Sequence, residues 1–280
     1  MSFYISLSGL KAAQTDLSTI SNNVANVSST GFKKSRTEFG DIFAAAPMQT
    51  TNQVAGQGVR VQGVSQQFTQ GTLEGTAKTL DLAIAGEGYF TVKGEDGTIS
   101  YTRNGAFSVD EDRFAVDTTG SRIQVFAVDP NTGVPTTPVN GATTANLIDL
   151  QIPTTLNNDP AGAQLTSVGV SKEGLVSAVY ADGSTVRLGQ VAMASFNSQE
   201  GLRQEGDAHW TATVASGAPT LGTANAGLFG SVNSGMLERS NVDITDELVA
   251  LIAAQRNFQA NSKAIEAANT LTTTVVNMRT

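Results

Sequence analysis

The chain has 280 residues, 28 of them glycine and only 6% aromatic, and a formal net charge of −8. That length suits one large or two modest domains, the composition suits a turn-rich β body better than a dense enzyme core, and the acidic balance argues against nucleic acid, whose phosphates it would repel. The lack of cysteine removes disulfides and thiolate chemistry, and no run of 18 apolar residues is present to insert in a membrane. The opening MSFYISLSGLKAAQ has neither the basic leader nor the cleavage site of a secretory signal peptide, so export would take another route.

Residues 1–28 predict an amphipathic helix. Phe3, Leu7, Leu10, Ala13, Leu17, Ile20, Val24 and Val27 recur at intervals of three and four and hold one apolar face. Asn22, Asn23 and Asn26 fall near its end, where amides suit helix termination or packing between neighbouring subunits. Residues 29–58 keep no sustained period and predict a long connector, with EFGDIF a short turn of helix or strand. Within it Lys33, Lys34 and Arg36 make a small basic patch, either solvated or set against an acidic neighbour.

From Val59 the pattern turns to short strands, beginning with the alternation of VRVQGVSQQF. LDLAIAG and YFTVKGEDGTISYTR follow, with Asp96-Gly97 as a hairpin turn, and Asp182-Gly183 repeats that device in LVSAVYADGSTVRLGQVAMASF. Residues 129–166 hold five of the seven prolines, which predicts extended loop or edge strand. Residues 240–280 predict a second long helix, with Ile244, Leu248, Leu251, Phe258, Ile265, Leu271, Val275 and Met278 along one face. Asp243 is placed as its N-cap, and Asp246 and Glu247 lie in its first turn.

The predicted fold class is therefore α+β and discontinuous. The N- and C-terminal helices (1–28 with 240–280) form an α-helical coiled-coil domain, 29–58 is a connector, and 59–239 is a mainly β central body. Two helical arms at opposite ends of a chain bury little in one molecule, and each seam residue contributes ~1.5–3 kcal/mol only once it is covered. Such arms predict an assembly subunit; a helical hairpin capping its own domain is the competing reading. Isolated helices of this kind are marginal in water, so both arms are expected to be largely disordered in the monomer. Limited proteolysis in which both ends resist as well as the body would contradict that.

Catalytic signals are lacking. The single histidine, His209, sits beside the single tryptophan, Trp210, and without cysteine makes no zinc set; it reads as a surface or loop residue. GEGYF at Gly86–Phe90 lacks the third glycine of a dinucleotide loop and predicts a turn between strands. Asp110, Glu111 and Asp112 lack the glycine and terminal glutamate of an EF-hand and predict a solvated hairpin tip. No Gly-x-Ser-x-Gly elbow occurs. No catalytic, cofactor-binding or metal residue is expected, and the chain does not read as an enzyme.

Three segments carry a family resemblance. SLSGLKAAQTDLSTISNNVANVSSTGFKKSRTEF, FTQGTLEGTAKTLDLAIAGEGYFTV with YTRNGAFSVDED, and SGMLERSNVDITDELVALIAAQRNFQANSKAIEAANTL resemble, in the same order, the bacterial flagellar rod and hook proteins. The start MSFYISLSGL and the run DGSTVRLGQVAMASFNSQEGLRQEGDAHWTAT are more similar to hook subunits than to distal rod subunits. The resemblance implies a tubular homopolymer whose terminal helices line an export channel and whose β body forms the outer wall. It implies export by the flagellar type III apparatus and contacts with adjacent axial proteins: the distal rod, the hook cap and the hook-filament junction proteins. Leu7, Leu10, Leu17, Ile20 and Val24 against Leu248, Leu251, Phe258 and Ile265 then become the inner coiled coil. Gln255, Arg256, Asn257 and Asn261, within AQRNFQANS, would face a neighbouring subunit or the channel, or form an exposed helix face. Two departures stand out. Residues 138–166 pass almost directly into a strand near Val168, so the inserted outer domain common in hooks is missing. The join AAAPMQTTNQVAG is longer than usual in hooks, and distal rods also carry an extended segment there, associated with a straight, rigid tube.

Overall fold

The computed structural model describes residues 2–43, 56–130, 132–136, 139, 142–156 and 162–278. The chain forms two compact units, one of Met1–Val27, Lys33–Gln67 and Val242–Thr280, the other of Ser28–Phe32 and Phe68–Asn241.

The first unit holds both long helices, α1 (Ser2–Ala25) and α2 (Ile244–Asn277). Asp243 caps α2 as its spacing predicts, its carboxylate accepting from Thr245 N at 2.8 Å and Asp246 N at 3.3 Å. Between the helices in sequence, β1 (Ser35–Phe43) and β2 (Gly56–Gln66) pair antiparallel as a long ribbon. This differs from the expected connector at 29–58 and from a body beginning at Val59, because β2 groups with the helices. Register shifts between Glu38 and Phe39 and between Asp41 and Phe43 break the two-residue alternation that would have marked β1 as a strand. The lengthened join lies, apart from Gly56, outside the described residues.

The second unit is a mainly β body, consistent with the predicted class. Its central strands bury both faces. In Tyr89–Lys93, Phe90 and Val92 enter one apolar cluster with Ile123, Val125 and Met193, while Tyr89 enters another with Phe126, Phe196 and Trp210. Period-two alternation thus feeds two cores from one sheet. In the second core, ring edges meet ring faces, as in Tyr101 with Phe196 at 4.8 Å and Tyr89 with Trp210 at 5.9 Å. Both predicted turns are present. Asp96 accepts from Thr98 N at 3.0 Å and Asp182 from Ser184 N at 2.9 Å, with Gly97 and Gly183 at φ of 83° and 81°. Gly86–Phe90 is a turn into a strand, and Asp110–Asp112 form a hairpin tip where Asp110 accepts from Phe114 N. Of residues 129–166, the described part includes the short strand Leu147–Asp149 and the start of the strand Leu165–Val170.

His209 departs from its expected surface position. It is buried in the strand His209–Thr211, with Nε2 2.7 Å from Asp117 Oδ2 and Nδ1 3.0 Å from the Asp207 carbonyl. Burial disfavours the imidazolium, but the hydrogen bond and charge of Asp117 and the Asp207 carbonyl outweigh it and raise the His209 pKa above 6.5. Burial likewise opposes ionised Asp117, but hydrogen bonds from His209 and Thr119 leave its pKa lowered. The His209 contribution is therefore complete below its unfolded value near 6.5 and is lost as pH rises through the raised folded value; that of Asp117 is lost only in strong acid. Melting temperatures measured between pH 6 and pH 9 are expected to fall with rising pH in the wild type and to fall less in His209→Gln. Parallel profiles would contradict the pairing.

At the place where the chain enters and leaves this unit, three segments are tied to one residue. Glu238, fully buried, accepts from Gly71 N at 2.9 Å and Arg103 Nη1 at 3.2 Å, and its carbonyl accepts from Gly31 N at 2.8 Å. Arg103 also donates to the Gly86 carbonyl at 3.0 Å and lies over the Tyr89 ring. Gly31 takes φ of 69°, and a Cβ there would meet Asn104 N at 2.6 Å, so only glycine lets the chain pass this close to the Arg103–Asn104 backbone.

Candidate assembly surface on the terminal helices

Helix α1 holds the ribbon with polar residues at helical spacing. Ser8 Oγ accepts from Val59 N at 3.2 Å, Thr37 donates to Thr19 Oγ1 at 3.1 Å, and Asn23 exchanges two hydrogen bonds with the Ser35 backbone at 2.8 and 2.9 Å. Ser8, Thr19 and Asn23 share one face of α1. Asn23 also donates to Glu247 Oε2 at 3.1 Å, joining the ribbon, α1 and the first turn of α2. Lys34 Nζ lies 3.7 Å from the same carboxylate. A cavity of about 320 Å³ opens beside these groups, with Asp16 and Arg36 also on its wall. Burial raises the Asp16 pKa, opposed by the Thr37 hydroxyl and reinforced by repulsion from Glu247.

Asn23 makes three hydrogen bonds, of which the one to the Glu247 carboxylate is buried. Its replacement by alanine is expected to cost the first unit on the order of 3 kcal/mol, read as a lower melting temperature of the assembled protein with the body transition unchanged.

The helices run antiparallel, with Asn23 beside Glu247 and Gly9 beside Asn261. A Cβ on Gly9 would lie 2.6 Å from Asn261 Oδ1, so a larger residue there would displace the Asn261 amide. The residues buried on these helices are Ala12, Ala13, Thr19, Ile20 and Asn23 on α1, and Glu247 and Ala254 on α2, small or polar but for Ile20. Of the expected seam, Ile20 is buried, Leu7, Leu10, Leu17, Val24, Leu251 and Ile265 are half-buried, and Leu248 and Phe258 remain 44% and 37% exposed. Ile244, Leu248 and Ile252 recur every four residues and form one uncovered stripe, with Val249 at its edge.

The other expected contact residues separate. Asn23 is consumed inside the unit, and Asn26 donates to the Asn22 carbonyl at 3.0 Å, which closes the helix end, while Asn22 is exposed. Lys33 is buried, Lys34 half-buried and Arg36 exposed, so these residues form no single patch. Gln255, Arg256 and Asn257 are exposed, and Asn261 donates to the Asn257 carbonyl at 2.9 Å. Asn23 was singled out in the sequence, for helix termination or subunit packing, whereas Ser8 and Thr19 were missed because polar residues at visible spacing suggest a solvated face. Among the described residues no group of three or more metal-ligating side chains occurs, and no helix is long and apolar enough to cross a membrane.

Ile244, Leu248 and Ile252 thus leave apolar surface exposed along the start of a long helix. The family model described as flagellar hook protein FlgE/F/G D1 domain matches residues 83–178, flagellar basal body rod FlgEFG protein C-terminal matches 233–278, and flagella basal body rod protein matches 3–33. The flagellar hook protein FlgE of Salmonella typhimurium is 30% identical over 410 aligned residues, covering 100% of each chain. The flagellar basal-body rod protein FlgG of Bacillus subtilis is 36% identical over 295 residues, 99% of this chain and 98% of its own. FlgG of Agrobacterium fabrum is 33% identical over 284 residues, 97% and 96%. The solved Helicobacter pylori hook protein FlgE2 shares 16% identity over 50% of this chain and 38% of its own at a TM-score of 0.24, too slight a likeness to bear on the fold.

Proposed function

The chain belongs to the family of bacterial flagellar hook and basal-body rod proteins, structural components of the flagellum, and on that premise we propose that it is the hook subunit. In this reading it polymerises into a tube that encloses the export channel and passes motor torque to the filament as a flexible joint. The observation that carries polymerisation is the uncovered stripe of Ile244, Leu248 and Ile252, which gains stability only against another chain. The hook assignment is supported by the match to FlgE over the whole of both chains. The terminal helices then form the inner layer, with the distal rod, hook cap and hook-filament junction proteins as axial neighbours and the type III apparatus as exporter.

A second reading, the distal rod subunit, is favoured by length. The FlgE alignment runs to 410 positions against 280 residues here, so this chain lacks a long stretch of that hook protein, whereas the FlgG alignments run to 284 and 295. Curvature separates the two. Tubes isolated from cells are expected to bend, and deleting residues 44–56 is expected to leave assembly intact while changing curvature or stiffness. Straight wild-type tubes would favour the rod, and unchanged mechanics after the deletion would remove any mechanical role for that join.

A further inference from the structure

His209 closes a two-residue hairpin. It pairs with Gly206 between the strands Arg203–Gly206 and His209–Thr211, leaving Asp207 and Ala208 as the turn. Both turn residues take positive φ, 49° and 58°, the left-handed region that so short a hairpin requires and that glycine fills most readily. Ala208 has neither glycine's freedom nor a polar side chain to support it, so the turn is strained. Its two carbonyls hold it: that of Asp207 lies 3.0 Å from His209 Nδ1, and that of Ala208 accepts from the Thr102 hydroxyl at 2.8 Å. The hairpin is at the sheet edge, where Arg203–Gly206 is exposed and has one strand neighbour.

The surroundings of the imidazole fix its charge. Nδ1 faces the Asp207 carbonyl, which only accepts, so Nδ1 carries a proton. Nε2 faces Asp117 Oδ2 at 2.7 Å. The other oxygen of that carboxyl, Oδ1, already accepts from Thr119 N at 2.8 Å, the Thr119 hydroxyl at 2.7 Å and Ser121 N at 3.0 Å. Three donors hold Asp117 as the anion, and an anion too only accepts. Both ring nitrogens are therefore protonated, and His209 is a buried imidazolium. Burial alone would drive the proton off, yet these acceptors hold the His209 pKa above 6.5. The other charged side chains on the wall of the adjoining cavity, Glu95, Asp96, Glu205 and Asp207, are acidic. The basic Arg103, Arg122 and Arg203, on or beside the flanking strands, are paired with Glu238, Asp149 and Glu205, so the imidazolium sits in negative surroundings.

We propose that His209 is a pH-sensitive latch: as an imidazolium it ties the strained Asp207–Ala208 turn to the Asp117 turn, and on losing a proton it lets go of the Asp207 carbonyl and frees the tip of the edge hairpin. Neutral imidazole has one N–H. The Asp117 carboxylate is the stronger acceptor, so Nε2 keeps its proton and Nδ1 turns a lone pair on the Asp207 carbonyl. That repulsion adds to the backbone strain, and the turn relaxes. Release is local, because the next residue, Trp210, is fully buried in the aromatic core and holds its strand in place. The tip is closed below the raised pKa and opens as pH rises through it. The latch lies wholly within the second unit and is the same whichever axial subunit the chain is.

His209 is the only histidine, so NMR of the full chain reads its ring without overlap. The ring is expected to titrate above pH 6.5 and to leave its remaining proton on Nε2. Titration below 6.5, or a proton left on Nδ1, would overturn the proposal. Amide exchange over the same range, corrected for its intrinsic pH dependence, is expected to lose at least tenfold protection at residues 206–209 while the strand Tyr89–Lys93 keeps its own. Equal loss throughout the body would show general loosening and overturn local release. In Ala208→Gly the strain is removed, and the turn is expected to stay protected although His209 still titrates; opening with the wild-type profile would count against the latch. Asp117→Asn removes the anion and is expected to lower the titration and the opening together by at least one pH unit. Opening that stayed at the wild-type pH would sever it from His209.

Discussion

Glu238→Ala is expected to destabilise the second unit by about 3–5 kcal/mol, because it strands the buried Arg103 guanidinium without its anion. That is a large part of the ~5–15 kcal/mol that holds a typical domain, so the variant is expected to melt far below the wild type or accumulate unfolded. It also frees Gly71 N, while the Gly31 bond to the backbone carbonyl of residue 238 is retained. The double variant Glu238→Leu/Arg103→Met, which removes both charges, is expected to recover much of the loss. Denaturant unfolding of the wild type, Glu238→Leu, Arg103→Met and the double variant closes the cycle, and Glu238→Ala within about 1 kcal/mol of wild type would show that the pair contributes little. On the proposed function the consequence is mechanical as well. Load reaches the body through the segments that Glu238 ties together, so a weakened knot is expected to show as motility lost under high viscosity before it is lost in dilute medium.

Leu248→Asp/Ile252→Asp is expected to abolish assembly while leaving body stability unchanged. Both side chains are about half exposed, at 44% and 50%, so covering each gains on the order of 1 kcal/mol, and a carboxylate in the same contact must be desolvated at further cost. Together these raise the concentration needed for polymerisation by at least about 100-fold. Cells carrying the variant are expected to be non-motile while producing soluble subunit with a normal body transition. Normal tubes would place the assembly surface elsewhere.

The helices and turns were legible because their signals are local. Apolar spacing and the Asp243 cap mark α2, and the Asp-Gly pairs at 96–97 and 182–183 mark hairpins by backbone conformation alone. What escaped reading depends on partners remote in sequence. Nothing near His209 announces burial, since its partner Asp117 is 92 residues away, and Arg103 and Glu238 are separated by 135. The β1 strand was hidden by its own bulges. The apolar face of α2 was legible as a face, but its partner within the chain was not. Periodicity identifies a stripe without saying what covers it, and here the small residues around Ala254 meet α1 while Leu248 and Ile252 stay uncovered.

Electron microscopy of basal bodies purified from cells lacking this protein tests the axial-subunit account most directly. The account predicts complete rods that end without a hook. A rod that stops short would place the subunit further inward in the drive shaft, and a complete rod, hook and filament in its absence would contradict a structural role in the flagellar axis.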